Sequence, residues 1–387
     1  MSGRARHSWS FILAAAGSGS RIGGSPKQFR RLGSEPLWKW SARTAEKLFE
    51  LGLCDELIAI FPDGGESVET VSGFTVPTKY IKGGNTRTES VRNGLLSAAS
   101  EYVMIHDAAR PFLSAEICET LIEAASDDAG AIPVLQSADS LKMIDDSIKA
   151  LPRNKIFRTQ TPQAFKRTTL LEILDSHPEG ATDEATLWLD SGRKIVCVPG
   201  SERNFKVTTD FDWVMAKSLA EAGKTVKIGM GYDVHELVPG RNLILGGIEF
   251  QSELGLLGHS DADIICHAAA DALLGASGEG DIGTLFPASD ERWRGADSMS
   301  LLKSVLSLIA EKKWSVGNID VTLVAQIPEI GDKIVKITDN LRKLLVSVSP
   351  YAELSVKVKS GEHVGSVGRA ECMECFAAAL IERYDMP

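Results

Sequence analysis

Asp233 and His235 stand two residues apart in GMGYDVHEL, and His259 and His267 follow in GHSDADIICH. Carboxylate oxygen and imidazole nitrogen are ligand types that open, catalytic Zn²⁺ sites prefer. In an extended segment residues i and i+2 point to one side, so Asp233 and His235 can grip one ion together. A histidine on the helix after HSD completes such a cage and leaves a fourth position for substrate. Satisfied surface side chains are the plainer explanation. Yet four of the seven histidines (235, 259, 267 and 363) fall beyond residue 227, a clustering that favours a metal.

A different chemistry is written near the start. LAAAGSGSRIGGSPKQF carries Gly17, Gly19, Arg21, Gly23, Gly24 and Lys27 directly after an apolar run. Glycines let a backbone approach phosphates, and successive N–H groups make an anion-binding concavity. The GK[ST] ending of a Walker loop is missing, and GxGxxG fails at Ile22, which argues against a dinucleotide oxidoreductase. Arg21 and Lys27 are two cations in one loop, placed to stabilise charge that develops on a polyphosphate. In GGNTRTESVRNGL, Arg87 and Ser90 lie near a helix N-terminus, where anions are favoured. In MIHDAARPF, Asp107 ends an apolar strand, a place for a carboxylate that holds Mg²⁺ or a ribose hydroxyl, and Arg110 beside it can reach a second phosphate.

The elements that must position these groups fall into two sets. At 387 residues the chain exceeds one ordinary core, and two domains are expected. FILAAAG, ELIAIFP, YVMIHDA, AGAIPVL and KIVCVPG read as strands, with helices at 37–51, 87–100 and 114–126 between them. That alternation predicts a mostly parallel, doubly wound α/β sheet, with ligands beyond the carboxyl ends of its strands. The boundary is placed at 222–226, giving domains 1–224 and 227–387. The second has strands at KIGMGYDV, GNIDVTLVAQ and ELSVKVKS and helices at 261–275, 298–312, 329–346 and 370–384, which reads as an α/β sandwich. On the last helix Cys372 and Cys375 share a face with Ala379, a core pattern rather than a redox CxxC. DALLGASGEGDIGTLFPASD reads as a mobile loop that closes over a ligand.

Composition narrows the partners. A net charge of −10 argues against a nucleic-acid or anionic-membrane binder, and no apolar run reaches the roughly 20 residues that span a bilayer. The start MSGRARHSWSFILAAAG has a basic flank, but its apolar stretch runs straight into the glycine loop and reads as a buried strand rather than a signal peptide. Six dispersed cysteines suit a reducing cytoplasm.

AAAGSGSRIGGSPKQF, GGNTRTESVRNGL, HDAARPF, DSLKM, TQTPQAF, TDEA and KVTTDFD, in this order, resemble 2-C-methyl-D-erythritol 4-phosphate cytidylyltransferase. The resemblance implies a Rossmann-like nucleotidyltransferase that couples CTP to methylerythritol phosphate and releases pyrophosphate. It implies that Ala15, Ala16, Gly17 and Gly19 line CTP, and that Arg21 and Lys27 clamp its triphosphate. Gly84, Arg87, Ser90, Asp107 and Ala108 would hold the nucleotide, with Asp107 near Mg²⁺. Arg110, Ser140, Arg153, Thr161 and Lys206 would position the sugar phosphate; Ser140 stands where Thr is usual and keeps the hydroxyl. Arg153 would reach a neighbouring subunit's site, which implies a dimer. The nucleophile is already an anionic phosphate, so positioning and charge neutralisation are sufficient and no general base is needed.

GYDVH, GLLGHSDADIICHAAADALLGA, GDIGTLFP, GADS, GNIDVTLVAQ and VKSGEHVGSVGRAE resemble 2-C-methyl-D-erythritol 2,4-cyclodiphosphate synthase. By that resemblance Asp233, His235 and His267 bind Zn²⁺, and Glu362 holds a second ion, Mg²⁺ or Mn²⁺. His259, Ser260 and Ser360 would contact phosphates. Asp271, Asp281, Ile282 and Gly283 would bind the erythritol hydroxyls or support the loop, Arg369 would meet sugar phosphate, and Ala325, Pro328 and Ile330 would receive cytosine. This domain would trimerise, with Ser366 where a Phe commonly lines the central cavity. Together the two resemblances imply a bifunctional enzyme of non-mevalonate isoprenoid synthesis. A kinase adds the 2-phosphate between its two reactions and is a conceivable associate. The rival is a general sugar-phosphate nucleotidyltransferase fused to a zinc hydrolase.

Overall fold

Runs in which successive residues are all apolar need two covered faces, and that is how the first strands are used. In a computed structural model, which describes residues 7–17, 26–63, 73–144, 147–176 and 183–384, strand β1 (Trp9–Ala14) is buried nearly throughout. It pairs in parallel with β2 (Glu56–Phe61) and β4 (Tyr102–Asp107), and β2 pairs in parallel with β3 (Thr78–Lys82). The sheet continues through β5 (Ala129–Gln136), β6 (Phe157–Thr159), β7 (Gln163–Lys166) and β8 (Lys194–Pro199) in the order β6-β5-β7-β4-β1-β2-β3, with β8 also paired to β5. β7 runs antiparallel to β4 and β5, an inversion in an otherwise mainly parallel, doubly wound sheet.

Alternate residues of β1 serve opposite layers, as period-two geometry requires. Phe11 and Leu13 pack with Trp38, Ala42, Ala45 and Leu48 of α1 (Leu37–Glu50) and with Ile117, Cys118 and Leu121 of α3 (Ala115–Ala124). Ile12 packs on the other face with Val91 and Leu95 of α2 (Arg87–Ser97), Leu170, Ile173 and Leu174 of α4 (Arg167–Ser176), and Trp188 of α5 (Glu184–Asp190). Each such apolar side chain contributes roughly 1.5–3 kcal/mol when fully buried. A small hairpin, Lys142–Ile144 with Ile148–Ala150, stands exposed beside this core. Helix α6 (Asp210–Ala222) closes the first compact unit, and the second begins at Lys224.

The second unit is built on β9 (Lys224–Pro239), β10 (Leu254–Leu256), β11 (Ser315–Val324), β12 (Glu353–Lys359) and β13 (Cys372–Tyr384), ordered β10-β9-β13-β11-β12. Helices α7 (Ile264–Ser277), α9 (Ser298–Glu311) and α10 (Lys333–Val348) cover one face, and the short α8 (Ile282–Leu285) follows α7. α7 lies unusually close to β9: a Cβ at Gly229 or Gly231 would come within 2.1 Å of Ala272 O or 2.0 Å of Ala268 O. The opposite side of β9 presents Val226, Ile228, Met230, Tyr232 and Val234 to solvent, with Ile228 and Met230 78% and 79% exposed.

The expected helix at 370–384 is instead β13, hydrogen-bonded to β9 on one side and β11 on the other. Its alanines favour helix locally, but Met373, Cys375, Ala377, Ala379 and Ile381 are all buried at every second position. Two waiting strand edges and a period-two apolar face override that propensity. Cys372 and Cys375 therefore do not share a helical face: Cys375 is buried in the core, while Cys372 is only half-buried.

Candidate functional sites

β1 and β4 end side by side, Ala14 opposite Asp107, so the loops that follow them share one end of the sheet. Asp107 is ringed by cations. Lys206 Nζ donates to its Oδ2 at 2.7 Å, Arg87 Nη2 lies 3.6 Å from Oδ1, and Arg110 Nε lies 3.9 Å from Oδ2. Burial pushes this carboxyl up, but Lys206 and then Arg87 overcome it and hold the group well below the usual carboxylate range. Arg87 is itself gripped by Glu184, a buried residue that opens α5, at 2.5 and 3.0 Å. Arg110 Nη1 donates to Asn204 O at 2.9 Å, and Lys27 Nζ donates to Val207 O, next to Lys206, at 2.7 Å.

The backbone around this cluster is fixed by side chains. Gln28 Nε2 donates to Ala15 O at 2.9 Å and Gly17 O at 2.7 Å, tying down the described start of the glycine loop. Ala108 N donates to Ala14 O, joining the two strand ends. Gly84 N donates to Ser90 Oγ at 3.0 Å, and that hydroxyl donates to Thr86 O at 2.8 Å. A Cβ at Gly83 would lie 2.4 Å from Ala16 Cβ, so these two loops abut. Ala15, Ala16, Gly17, Gly84, Arg87, Ser90, Asp107, Ala108, Arg110 and Lys206 thus gather at one place. Gly19 and Arg21 lie outside the described residues.

Three expected sugar-phosphate residues behave otherwise. Thr161 is buried, and its hydroxyl accepts from Asp107 N and meets His106 Nδ1, each at 3.1 Å, so it braces the strand end rather than facing a ligand. Ser140 accepts from Lys142 Nζ at 2.8 Å, and Arg153 donates to Ala138 O at 3.1 Å. Both are exposed near the hairpin, and no hydrogen bond or ion pair among the described residues joins them to the Asp107 group.

In the second unit the strand and helix bring three donors together. Asp233 Oδ2 lies 3.0 Å from both His235 Nε2 and His267 Nδ1, and those two nitrogens are 3.2 Å apart. The candidate ligand atoms all fall within 4.8 Å of one another. β9 turns Asp233 and His235 to one side, and α7, capped by Asp263, presents His267. His235 Nδ1 meets Leu257 O at 2.6 Å; a carbonyl only accepts, so Nδ1 carries the hydrogen and Nε2 turns a lone pair to the cluster. Two ring nitrogens crowding one carboxylate oxygen are a donor set suited to a divalent cation. Burial raises the Asp233 carboxyl, but the imidazoles of His235 and then His267, where either carries a second proton, more than offset this and hold it well below the usual carboxylate range. Burial depresses His235, yet Asp233 raises it overall.

The other expected residues surround this cluster unevenly. Ser260 is buried, with Oγ 3.1 Å from His267 Nε2. His259 Nε2 is buried and has no hydrogen-bond partner among the described residues. Asp271 accepts from Ile282 N at 2.7 Å and Asp281 from Thr284 N at 2.6 Å, so both brace α8 and with it Gly283. Burial raises the Asp271 carboxyl. Ser360 donates to Glu362, which is not part of the Asp233 cluster and sits, with His363, at positive φ of 49° and 58°. Ala325 N is bonded to Lys359 O, linking the segment that includes Pro328 and buried Ile330 to the Ser360 turn. Arg369 pairs with Glu371 at 2.8 Å on the surface, and its backbone N–H donates to Gly365 O just after the Glu362–His363 turn.

Five residues escaped the sequence: Gln28, His106, Glu184, Asp261 and Ser298. Each lies inside a motif, PKQF, HDAARPF, TDEA, HSDAD or GADS; Glu184, Asp261, Ser298 and, through Thr161, His106 meet remote partners, whereas Gln28 reaches back 11 and 13 positions within its own loop.

Residues 10–222 match the 2-C-methyl-D-erythritol 4-phosphate cytidylyltransferase family, and residues 226–382 match the YgbB family. The bifunctional enzyme IspD/IspF of Anaeromyxobacter dehalogenans is 40% identical over 383 residues, 96% of this chain and 97% of the relative. That of Granulibacter bethesdensis is 39% identical over 381 residues, covering 96% and 98%. The solved structure of the bifunctional IspDF from Campylobacter jejuni is 32% identical with a TM-score of 0.47, covering 98% of this chain and 99% of that one.

Proposed function

The chain belongs to the bifunctional IspD/IspF family, and from that membership we propose how its own residues carry the two reactions. The first unit transfers CMP from CTP to 2-C-methyl-D-erythritol 4-phosphate and releases pyrophosphate. The second cyclises 4-diphosphocytidyl-2-C-methyl-D-erythritol 2-phosphate to the 2,4-cyclodiphosphate and releases CMP. Both exchange one bond to phosphorus for another, so charge and orientation carry the rate.

In the first reaction a sugar-phosphate oxygen attacks the α-phosphorus of CTP as the bond to pyrophosphate breaks. Ala15 to Gly17 and the Gly84–Ser90 turn cradle the nucleotide, held by Gln28 and Thr86. Lys27, Lys206 and Arg110, with Arg21, neutralise the phosphates, Ser140 positions the sugar phosphate, and Arg153 reaches a partner copy's site. Asp107, a single carboxylate already met by cations, would help hold an Mg²⁺ that would supply further charge neutralisation at the triphosphate. The exposed hairpin, with Ile144 and Ile148 76% and 72% exposed, supports a dimer made by that element.

In the second reaction Asp233, His235 and His267 would hold Zn²⁺, and Glu362 would hold a second divalent ion, Mg²⁺ or Mn²⁺. Bound Zn²⁺ supplies a Lewis acid that polarises a phosphoryl oxygen. His259 and Ser360 orient the diphosphate, and the segment at Ala325, Pro328 and Ile330 receives the cytosine. The substrate's own 2-phosphate is the nucleophile, so tethering supplies much of the effective concentration. The uncovered apolar side of β9, joined by Phe376, supports a trimer.

One observation carries the assignment of metal chemistry: donors from a strand and a helix converge on a common point. The test is paired. Full-length protein is assayed for pyrophosphate release from CTP with methylerythritol phosphate, and for CMP release from the diphosphocytidyl 2-phosphate. Asp107→Asn should abolish the first and spare the second, and Asp233→Ala the reverse. Faster turnover of UTP with a hexose 1-phosphate would favour a general nucleotidyltransferase instead.

A further inference from the structure

The ring nitrogen of His267 that faces away from Asp233 lies among hydroxyls. Nε2 is 3.0 Å from Ser298 Oγ and 3.1 Å from Ser260 Oγ. Ser298 is wholly buried at the start of α9, and both its polar groups address one carboxylate. Its hydroxyl makes a short bond to Asp261 Oδ1, and its N–H donates to Oδ2 at 3.1 Å. An ionised carboxylate only accepts, and a serine has a single proton to give. The Ser298 proton therefore goes to Asp261, and its lone pairs are left to accept. Ser260 Oγ accepts from Ala262 N at 3.1 Å and lies 3.3 Å from Ser298 Oγ, where its own proton finds a lone pair. His267 Nε2 thus faces acceptors and bears the ring hydrogen, which leaves the Nδ1 lone pair aimed into the cluster.

We propose that Asp261, acting through Ser298, is the positioning carboxylate of the metal centre, fixing His267 in the tautomer and ring orientation that present Nδ1 beside His235 Nε2. The inference rests on the metal reading of Asp233, His235 and His267. His235 obtains the same service from a peptide carbonyl, that of Leu257. For His267 no carbonyl among the described residues is in place, and a carboxylate relayed by a serine does the work. Asp261 also accepts from Asp263 N at 3.2 Å, so one carboxylate ties the turn before α7 to the first residue of α9. Ala262, at the centre of that turn, has φ of +60°, uncommon for a residue with a Cβ, and the surrounding bonds hold it there. Outer partners of ligand histidines set both their basicity and their orientation.

The test uses the full chain and Zn²⁺ alone, with affinity read by competition against a chromogenic chelator. Ser298→Ala and Asp261→Asn should each weaken binding by about 10- to 100-fold, while Ser298→Thr, which keeps the hydroxyl, should stay within about threefold of the parent. Nitrogen-15 spectra of labelled histidines in the metal-free protein should show one ring with hydrogen on Nε2 only, and a mixture of tautomers there in Ser298→Ala. If Ser298→Ala fails to fold, Asp261→Asn decides. Parent-like affinity and tautomer in the variants, with binding lost in Asp233→Ala, would overturn the proposal and leave the metal centre intact. Undiminished binding in Asp233→Ala would remove the metal reading itself and this inference with it.

Discussion

Glu184 holds Arg87 through both guanidinium nitrogens, at 2.5 and 3.0 Å, from 97 positions further along the chain. Arg87 is thereby fixed 3.6 Å from Asp107, so at the proposed nucleotide site its charge would be already partly balanced. Glu184→Gln should leave the guanidinium without its counter-charge and let it swing onto Asp107. We expect kcat/KM for CTP to fall about a hundredfold, as a misplacement of about 1 Å typically costs. CMP release by the second unit should be unchanged. Glu184→Ala, which breaks a buried pair outright, should also lower the stability of the first unit by about 3 kcal/mol, measured by urea unfolding.

Gln28 makes a prediction of a different kind, because it touches backbone alone. Its amide nitrogen supplies two bonds, to Ala15 O and Gly17 O. Gln28→Glu is nearly isosteric but places a carboxylate against two carbonyl oxygens, whereas Gln28→Leu merely leaves them unpaired. The cost for the leucine variant should be about 1–3 kcal/mol in stability, and the glutamate variant should be worse. In both, KM for CTP should rise well before kcat falls, since what is lost is the preformed cradle.

His106 gives the first unit an acid sensitivity that can be worked out in sign. The ring is fully buried, Nε2 donates to Arg110 O at 3.1 Å, and Nδ1 accepts from Thr161 Oγ1 at 3.1 Å. Every ring position is satisfied in the neutral form, and burial lowers the pKa to about 4, against 6.5 for an ordinary histidine. Above 6.5 neither state is protonated and the group is silent. As pH falls from 6.5 to 4 the unfolded chain binds a proton the folded chain refuses, so stability is lost, by about 3 kcal/mol across the window. Unfolding followed by the fluorescence of Trp9, Trp38, Trp40, Trp188 and Trp213, all in the first unit, reads this out. His106→Gln should flatten the slope in that window even if it lowers stability overall. An unchanged slope would place the proton elsewhere.

What the sequence disclosed follows from where the information sits. β1 was legible because an unbroken apolar run before a glycine loop has few alternatives, and β4 for the same reason, with Asp107 at its end. Asp233 and His235 were legible because i and i+2 fix a shared side once the strand is granted. β13 was misjudged: alanine favours helix in isolation, and only two flanking strand edges make Cys372–Tyr384 a strand. Thr161 carried a motif residue's identity but not its direction, since its hydroxyl is claimed by Asp107 N and His106. Glu184 and Gln28 were visible as letters within motifs. Glu184 depends on Arg87, brought near only by the completed sheet, and Gln28 on the way its own loop folds back on Ala15 and Gly17, neither of which a local pattern encodes.

The two units should separate cleanly under metal removal, because their charge clamps are built from different materials. On the proposed assignment the first would neutralise phosphate largely with Lys27, Arg87, Arg110 and Lys206, whose charges belong to the chain. The second, at the convergence of Asp233, His235 and His267, offers a carboxylate and two imidazoles and so depends on an added cation. Dialysis against a strong zinc chelator, followed by assay with Mg²⁺ supplied, should leave cytidylyl transfer intact. Cyclisation should fall about a thousandfold, the scale of several kcal/mol of lost transition-state stabilisation. Stoichiometric Zn²⁺ should restore it in the parent but not in Asp233→Ala or His267→Ala, whose bound zinc, counted by elemental analysis, should fall in parallel. Cyclisation that survives chelation with no zinc in the protein would mean that these three donors hold one another and not a metal.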